Sequence, residues 1–322
     1  MLKSTTILLC LAVSHTALKA QSLKDSLLDD IETYSPISFA LLEAHDALES
    51  SYDYSNNGAT ISTVQNTDTY EYMNWDNYDA ALYAMSINIH EICHSYMHYI
   101  PFWEMEACAC GVADLDVVHQ GFYISPEENL WIQVDKSLLF PSRKLIPYIP
   151  ESRRTFRYKT YIVGEQSAQG HGIIGLMDEF NAYYIGAKYS FDMLPVYQRE
   201  DPEWGYVWWS NKMKSLMAAY FEFDFYIKEY LLYAQKFRPK TYDYLKNDLS
   251  FLNIYNTIQT RYADLLSIYE KQYQRHYDKN SANTDSFRWT MDEYPFGDEY
   301  EVLQKALSSE EYSVIQEDFG VK

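Results

Sequence analysis

Between residues 213 and 237 apolar side chains return at alternating steps of three and four: Met213, Leu216, Tyr220, Phe223, Ile227, Tyr230, Ala234 and Phe237. That spacing follows the helical period and lays all of them along one stripe, which a folded chain must cover. Arg238-Pro239 ends the run, because proline has no N–H to continue the ladder. A second stripe follows at Leu245, Leu249, Leu252, Ile258, Tyr262, Leu265 and Tyr269, predicting a helix from about Tyr242 to Tyr277. Two long helices joined by a short break pack antiparallel, so 207–277 is expected to form a helical hairpin. Many of the 32 tyrosines fall here. A core seam is the expectation for them, rather than an exposed row that binds sugars or peptides. With 322 residues, 47% of them hydrophobic, the chain can bury a substantial core in one large domain or two small ones.

Upstream the pattern is mixed. Residues 24–50 carry helical periodicity broken at Pro36. Residues 51–75 are rich in Ser, Thr, Asn and Tyr and read as a long loop with one short strand around Ala59–Val64. Asp76 can cap a helix from about Asn77 to Ile100, which Pro101 stops. In 112–163, GFYISPEENLWIQVD reads as a hairpin and TFRYKTYIV alternates like a strand. The same segment holds Arg143, Lys144, Arg153, Arg154, Arg157 and Lys159, a basic island expected to pair with nearby carboxylates. Another helix runs from about Ile173 to Lys188. The last forty residues are acidic and weakly patterned. The fold class expected is α+β and mainly helical, with a strand-containing segment between two helices and a C-terminal helical hairpin.

The formal charge is −20. A surface of that sign repels phosphate backbones, so nucleic acid is not an expected partner. Residues 1–20 open with Lys3, run apolar from Ile7 to Val13 and reach Ala20, the pattern of a secretory leader too short to span a bilayer. Secreted or periplasmic localisation follows as an expectation, with 21–200 as the main domain, 201–322 as a helical part packed on it, and no membrane span after the leader. Cysteines beyond the leader are Cys93, Cys108 and Cys110. Cys108 and Cys110 lie too close in sequence for a relaxed mutual bridge, so any disulfide is expected to join Cys93 to Cys108 or Cys110; three buried thiols are the alternative.

Chemistry is concentrated in NIHEICHSYMH, residues 88–98. His90 and His94 are four apart, one turn above the other on one helical face, where two imidazoles can grip one metal ion. Glu91 sits about a quarter-turn away, placed to act on a water molecule. His98 continues the stripe but lies about 12 Å along the axis from His90, beyond the reach of one ion; it is expected in a supporting or surface position. A catalytic zinc takes three protein ligands. The third is expected downstream, in GHGIIGLMDEFNAYYIG at 170–186. There Glu179 shares a helical face with Gly172, Gly175, Ala182 and Gly186, small residues that let another helix approach closely. A glutamate buried on such a face without a partner would be costly.

His-Glu-x-x-His followed by a glutamate on a later helix resembles the plan of the gluzincin zinc metallopeptidases. HEICH with DEFNAYY is most similar to the Ste24 and HtpX types, which include soluble periplasmic relatives. The resemblance covers about thirty residues. It implies a zincin-like catalytic domain over 21–200, Zn2+ held by His90, His94 and Glu179, Glu91 as general base, and a peptide or protein substrate. Asn181 and Tyr183 stand where that pattern carries a glutamate and an aspartate, the latter normally orienting a zinc-bound histidine. Nearby, His171, Tyr183 and Tyr184 are candidate donors to a transition-state oxyanion. Two other readings compete: a zincin-like protein that binds without catalysis, and a helical surface protein with a chance motif.

Overall fold

Ser35 separates the first two helices of the computed structural model, which describes residues 21–56, 58–65, 67–164, 167–280 and 295–320. Residues 21–34 form α1, and Pro36 opens α2 (Pro36–Asp46), where its missing N–H costs nothing. The leader expected over 1–20 lies outside the described residues. Residues 51–75 hold more order than the sequence suggested. The strand expected around Ala59–Val64 is β2 (Ala59–Val64), and it pairs antiparallel with β1 (Ser51–Asn56), a strand its Ser-Asn-rich composition conceals.

Helix α3 (Tyr78–Met97) starts one residue later than expected. Asn77, not Asp76, caps it, accepting the Ala80 N–H at 2.9 Å. Pro101 does not end a helix but begins one, within the first turn of α4 (Ile100–Cys108). The expected hairpin is β3 (Val117–Ser125) with β4 (Glu128–Asp135), an antiparallel pair with a bulge near the turn. Gly121 lets β3 press on the α3–α4 junction: a Cβ there would lie 2.5 Å from Met97 O.

The strand expected in TFRYKTYIV is absent. Residues 159–163 form a π-helical turn (Lys159–Val163), and the apparent alternation is broken, with Phe156 75% exposed and Arg157 and Tyr158 both buried. The cause is an ion pair. Buried Glu222 accepts from Arg157 Nη1 at 2.6 Å, from the Arg157 backbone N–H at 2.9 Å and from Thr155 Oγ1 at 2.5 Å, pulling this segment inward. Elsewhere in the basic island, Arg153 meets Glu311 at 3.2 Å and Arg154 donates to the Ile149 carbonyl, while Arg143, Lys144 and Lys159 face solvent.

After a single turn at Ser167–Gly170 come α5 (Ile173–Asp192), α6 (Leu194–Glu200) and α7 (Gly205–Phe237). The helix expected over Tyr242–Tyr277 is two: α8 (Pro239–Asn247) and α9 (Leu249–Asn280), divided at Asp248, whose carboxylate accepts the Phe251 N–H. Two short helices close the chain, α10 (Asp298–Leu307) and α11 (Ser313–Phe319). Tyrosine hydroxyls show that α7 and α9 run antiparallel: Tyr206 donates to Gln272 O, Tyr269 to Ser210 O, Tyr262 to Leu216 O and Tyr255 to Asp224. The tyrosine seam is therefore core. Among the described residues the fold is mainly helical with two small antiparallel sheets; the main apolar core runs from Leu27 to Phe319, and a small second cluster joins Tyr54, Phe102 and Met105. No helix among the described residues is long and apolar enough to cross a membrane.

Candidate metal centre

Helices α3 and α5 lie against each other with little between them. Gly186 of α5 faces Ser86 and His90; a Cβ there would sit 3.1 Å from Ser86 O and 3.7 Å from His90 Cβ. At its start α5 turns in through Gly172, φ +57°, where a Cβ would lie 2.2 Å from Phe140 O. Only glycine combines that backbone with that contact. The close approach lets a side chain as short as Glu179 reach the imidazoles of the facing helix.

Three ligand atoms meet there. His90 Nε2 and His94 Nε2 are 3.2 Å apart, and Glu179 Oε2 lies 3.6 Å from the first and 3.4 Å from the second. A tetrahedral ion with ligand bonds of roughly 2.0–2.1 Å separates its ligands by about 3.3 Å. The triangle has the size of one face of that tetrahedron. Glu179 Oε2 is also a buried oxygen with no hydrogen-bond donor, the orphan that a cation would satisfy. His90, His94 and Glu179 are thus a group that can hold a metal ion. Burial alone would push the Glu179 carboxyl up, but the two imidazoles facing it outweigh burial and hold the group at about 2. For His94, burial pulls downward and is outweighed by the charge and hydrogen bond of Asp178 and by Glu179, leaving the ring well above the ordinary histidine value.

Asp178 is the residue that sequence reasoning missed. Its Oδ2 is 3.0 Å from His94 Nδ1, and its Oδ1 accepts from Gln120 Nε2 at 3.0 Å. The orienting carboxylate thus comes from the position just before the glutamate, not from position 183. The signal was present as the adjacent pair Asp178-Glu179. Asn181 instead ties α5 to the hairpin, donating to Tyr123 O at 3.0 Å. Tyr183 packs edge-on against His90, ring centroids 4.5 Å apart, with its hydroxyl 3.1 Å from that of Tyr161. Arg157 covers the Tyr183 ring at 4.5 Å. Tyr161, another residue not foreseen, is carried here by the π-helical turn; burial and the Glu179 charge push its hydroxyl strongly upward.

The remaining sites sort by position. Glu91 is half-buried beside the cluster, close enough to Tyr72 for its charge to help raise that hydroxyl. His171 and His98 are exposed and outside the ligand triangle. Tyr184 points away and packs on Tyr262. The cysteine expectation is overturned: Cys108 and Cys110 are bonded to each other, Cα–Cα 5.1 Å, and Cys93 is a free thiol buried in α3. Left-handed Ala109, φ 50°, at the end of α4 folds Cys110 back onto Cys108, which the spacing alone did not suggest.

Scans of the chain against protein-family models, curated proteins and solved structures return no match.

Proposed function

We propose that this chain is a zinc-dependent peptidase of the gluzincin plan, with a zincin-like catalytic domain, acting as a secreted or periplasmic protein on peptide or protein substrates. The observation that carries the reading is the convergence of His90, His94 and Glu179 around a buried oxygen without a donor, on a helix that also presents Glu91. Zinc held by these three residues would supply Lewis acidity, lowering the pKa of a water and polarising a scissile carbonyl. The residues of the chain do the rest. Glu91 accepts a proton from the attacking water on its carboxylate and delivers it to the leaving amine nitrogen. Asp178, by accepting from His94 Nδ1–H, keeps the Nε2 lone pair turned toward Glu179. Donation to the developing oxyanion falls to the paired hydroxyls of Tyr161 and Tyr183, not to Tyr184, which packs elsewhere. Arg157 and Glu222 hold the Tyr183 ring in place from behind.

The test is metal analysis of the purified chain together with hydrolysis of an unfolded protein. Stoichiometric zinc with cleavage that disappears in Glu91→Gln supports the reading. Equal cleavage by the wild type and Glu91→Gln, or zinc retained after His94→Ala, overturns it.

A further inference from the structure

Two turns upstream of His90, the same edge of α3 is unusually apolar for solvent. Tyr83 is 57% exposed and Ile87 50% exposed. Seven residues bring a helix back to nearly the same angle, so Tyr83 and His90 share one edge, with Ile87 between them. This strip leads from the metal centre into a cavity of about 340 Å³, whose wall includes Tyr83, Asp79, Glu200, Asp201 and Trp208. Trp208 is 61% exposed, a large indole left to solvent at the mouth of a concave site.

The lining has one sign. It carries three carboxylates and no cation. One Glu200 oxygen is held by Arg199 Nε at 2.8 Å, and Asp201 Oδ1 accepts the N–H groups of Glu203 and Trp204 at 3.1 and 2.9 Å, which fixes both acids in place. Just outside the lining, the Lys212 ammonium sits 3.5 Å from the Tyr83 ring centroid, an internal example of a lysine taken up by this aromatic wall. Acids beside aromatic faces suit a long side chain with an apolar stem and a positive head.

We infer that this pocket is a substrate subsite for a lysine or arginine side chain. The inference rests on the peptidase reading. Tyr83 is about 10.5 Å of helix rise from His90, and an extended peptide advances about 3.3 Å per residue. A side chain entering the pocket therefore belongs to a residue about three positions from the scissile bond, on one side of it. The stem lies along Trp208, and the head meets Asp79, Glu200 and Asp201.

The experiment compares matched fluorogenic peptides carrying lysine or glutamine at each position up to four residues from the cleaved bond. The variants are Asp79→Asn, Trp208→Ala and their double. Wild type is expected to favour lysine about tenfold in kcat/KM at one position about three residues out. That ratio should fall toward one in the double variant. No lysine preference in the wild type, or a preference unchanged in the double variant, overturns the subsite. Calorimetric binding of the same peptides to zinc-loaded Glu91→Gln protein, with and without the two pocket substitutions, separates the two proposals. Lysine-selective binding that the pocket substitutions abolish, with no cleavage by the wild type, sinks the peptidase reading and keeps the pocket. Binding that ignores lysine sinks the pocket, whatever the hydrolysis.

Discussion

Asp178 Oδ2 lies 3.0 Å from His94 Nδ1, on the opposite side of the imidazole from the Nε2 that faces Glu179. One carboxylate thus fixes the orientation of a ring whose other nitrogen takes part in the ligand triangle. Asp178→Asn keeps the shape and removes the charge. Zinc affinity is expected to fall about 10- to 100-fold, as for other outer partners of metal-bound histidines. A chelator competition titration reads this directly; unchanged affinity would show that the contact is incidental.

Glu91 and His94 are neighbours in the motif with different duties, and their variants should part company. Glu91→Gln leaves His90, His94 and Glu179 intact and should bind zinc at native stoichiometry. Its hydrolysis should drop by about 10²–10⁴-fold, the range for loss of a general base. His94→Ala removes a ligand and should lose metal and cleavage together. Elemental analysis and a peptide assay on the same preparations check both.

The contact between Gly186 and the α3 backbone makes a steric prediction. Gly186→Val would press its side chain against Ser86 O and His90, which already stand 3.1 and 3.7 Å from a bare Cβ. The two ligand helices must spread. A loss of about 1–3 kcal/mol is expected, typical of overpacking, along with weaker zinc binding. Urea unfolding and metal titration measure the two effects, and far-UV circular dichroism should show the helices retained.

Stability should also depend on pH through a pair distant from the site. Arg199 grips Asp30 with both ends of its guanidinium, at 2.6 and 2.7 Å, and Tyr78 donates to the same carboxylate. The hydrogen bond from Arg199 is the main reason the Asp30 carboxyl sits below its ordinary value of 3.8. A carboxyl depressed in the folded state adds stability that is complete above the unfolded value and is lost as pH falls through the folded one. Because the guanidinium is half-exposed, the contribution is screened to about 1 kcal/mol or less. Asp30→Asn should therefore be less stable than the wild type at pH 7, with the gap closing below about pH 4. Denaturant midpoints across that range decide it.

Periodic elements were legible in the residues because period is a local property. The stripes of 213–237 and 245–269, the hairpin of 117–135 and the motif helix all appear where the spacing put them, apart from the break at Asp248. What escaped was set by distant partners. Arg157 lies in an alternating stretch, yet Glu222, 65 residues away, holds it inside and forbids a strand. Tyr161 has unremarkable neighbours in sequence and Asp178 is marked only by standing next to Glu179; the packing of α3, α5 and the π-helical turn gives both a place beside the ligands. The bridge between Cys108 and Cys110 hinged on the backbone angle of one alanine, which residue types do not disclose.

The tyrosine seam between α7 and α9 has a mechanical consequence. Its hydroxyls land on the carbonyls of Ser210, Leu216 and Gln272, spread along most of the paired length. Apolar side chains alone would tolerate a slide of one helical turn, about 5.4 Å, at modest loss. The hydroxyls would not, since each shifted one would be stranded in a dry interface. They act as a vernier, locking the long helices at one axial setting. Phe223, on the same helix, packs on Tyr183 at 5.2 Å, so the setting chosen by the distant hairpin is carried to the ring that braces His90.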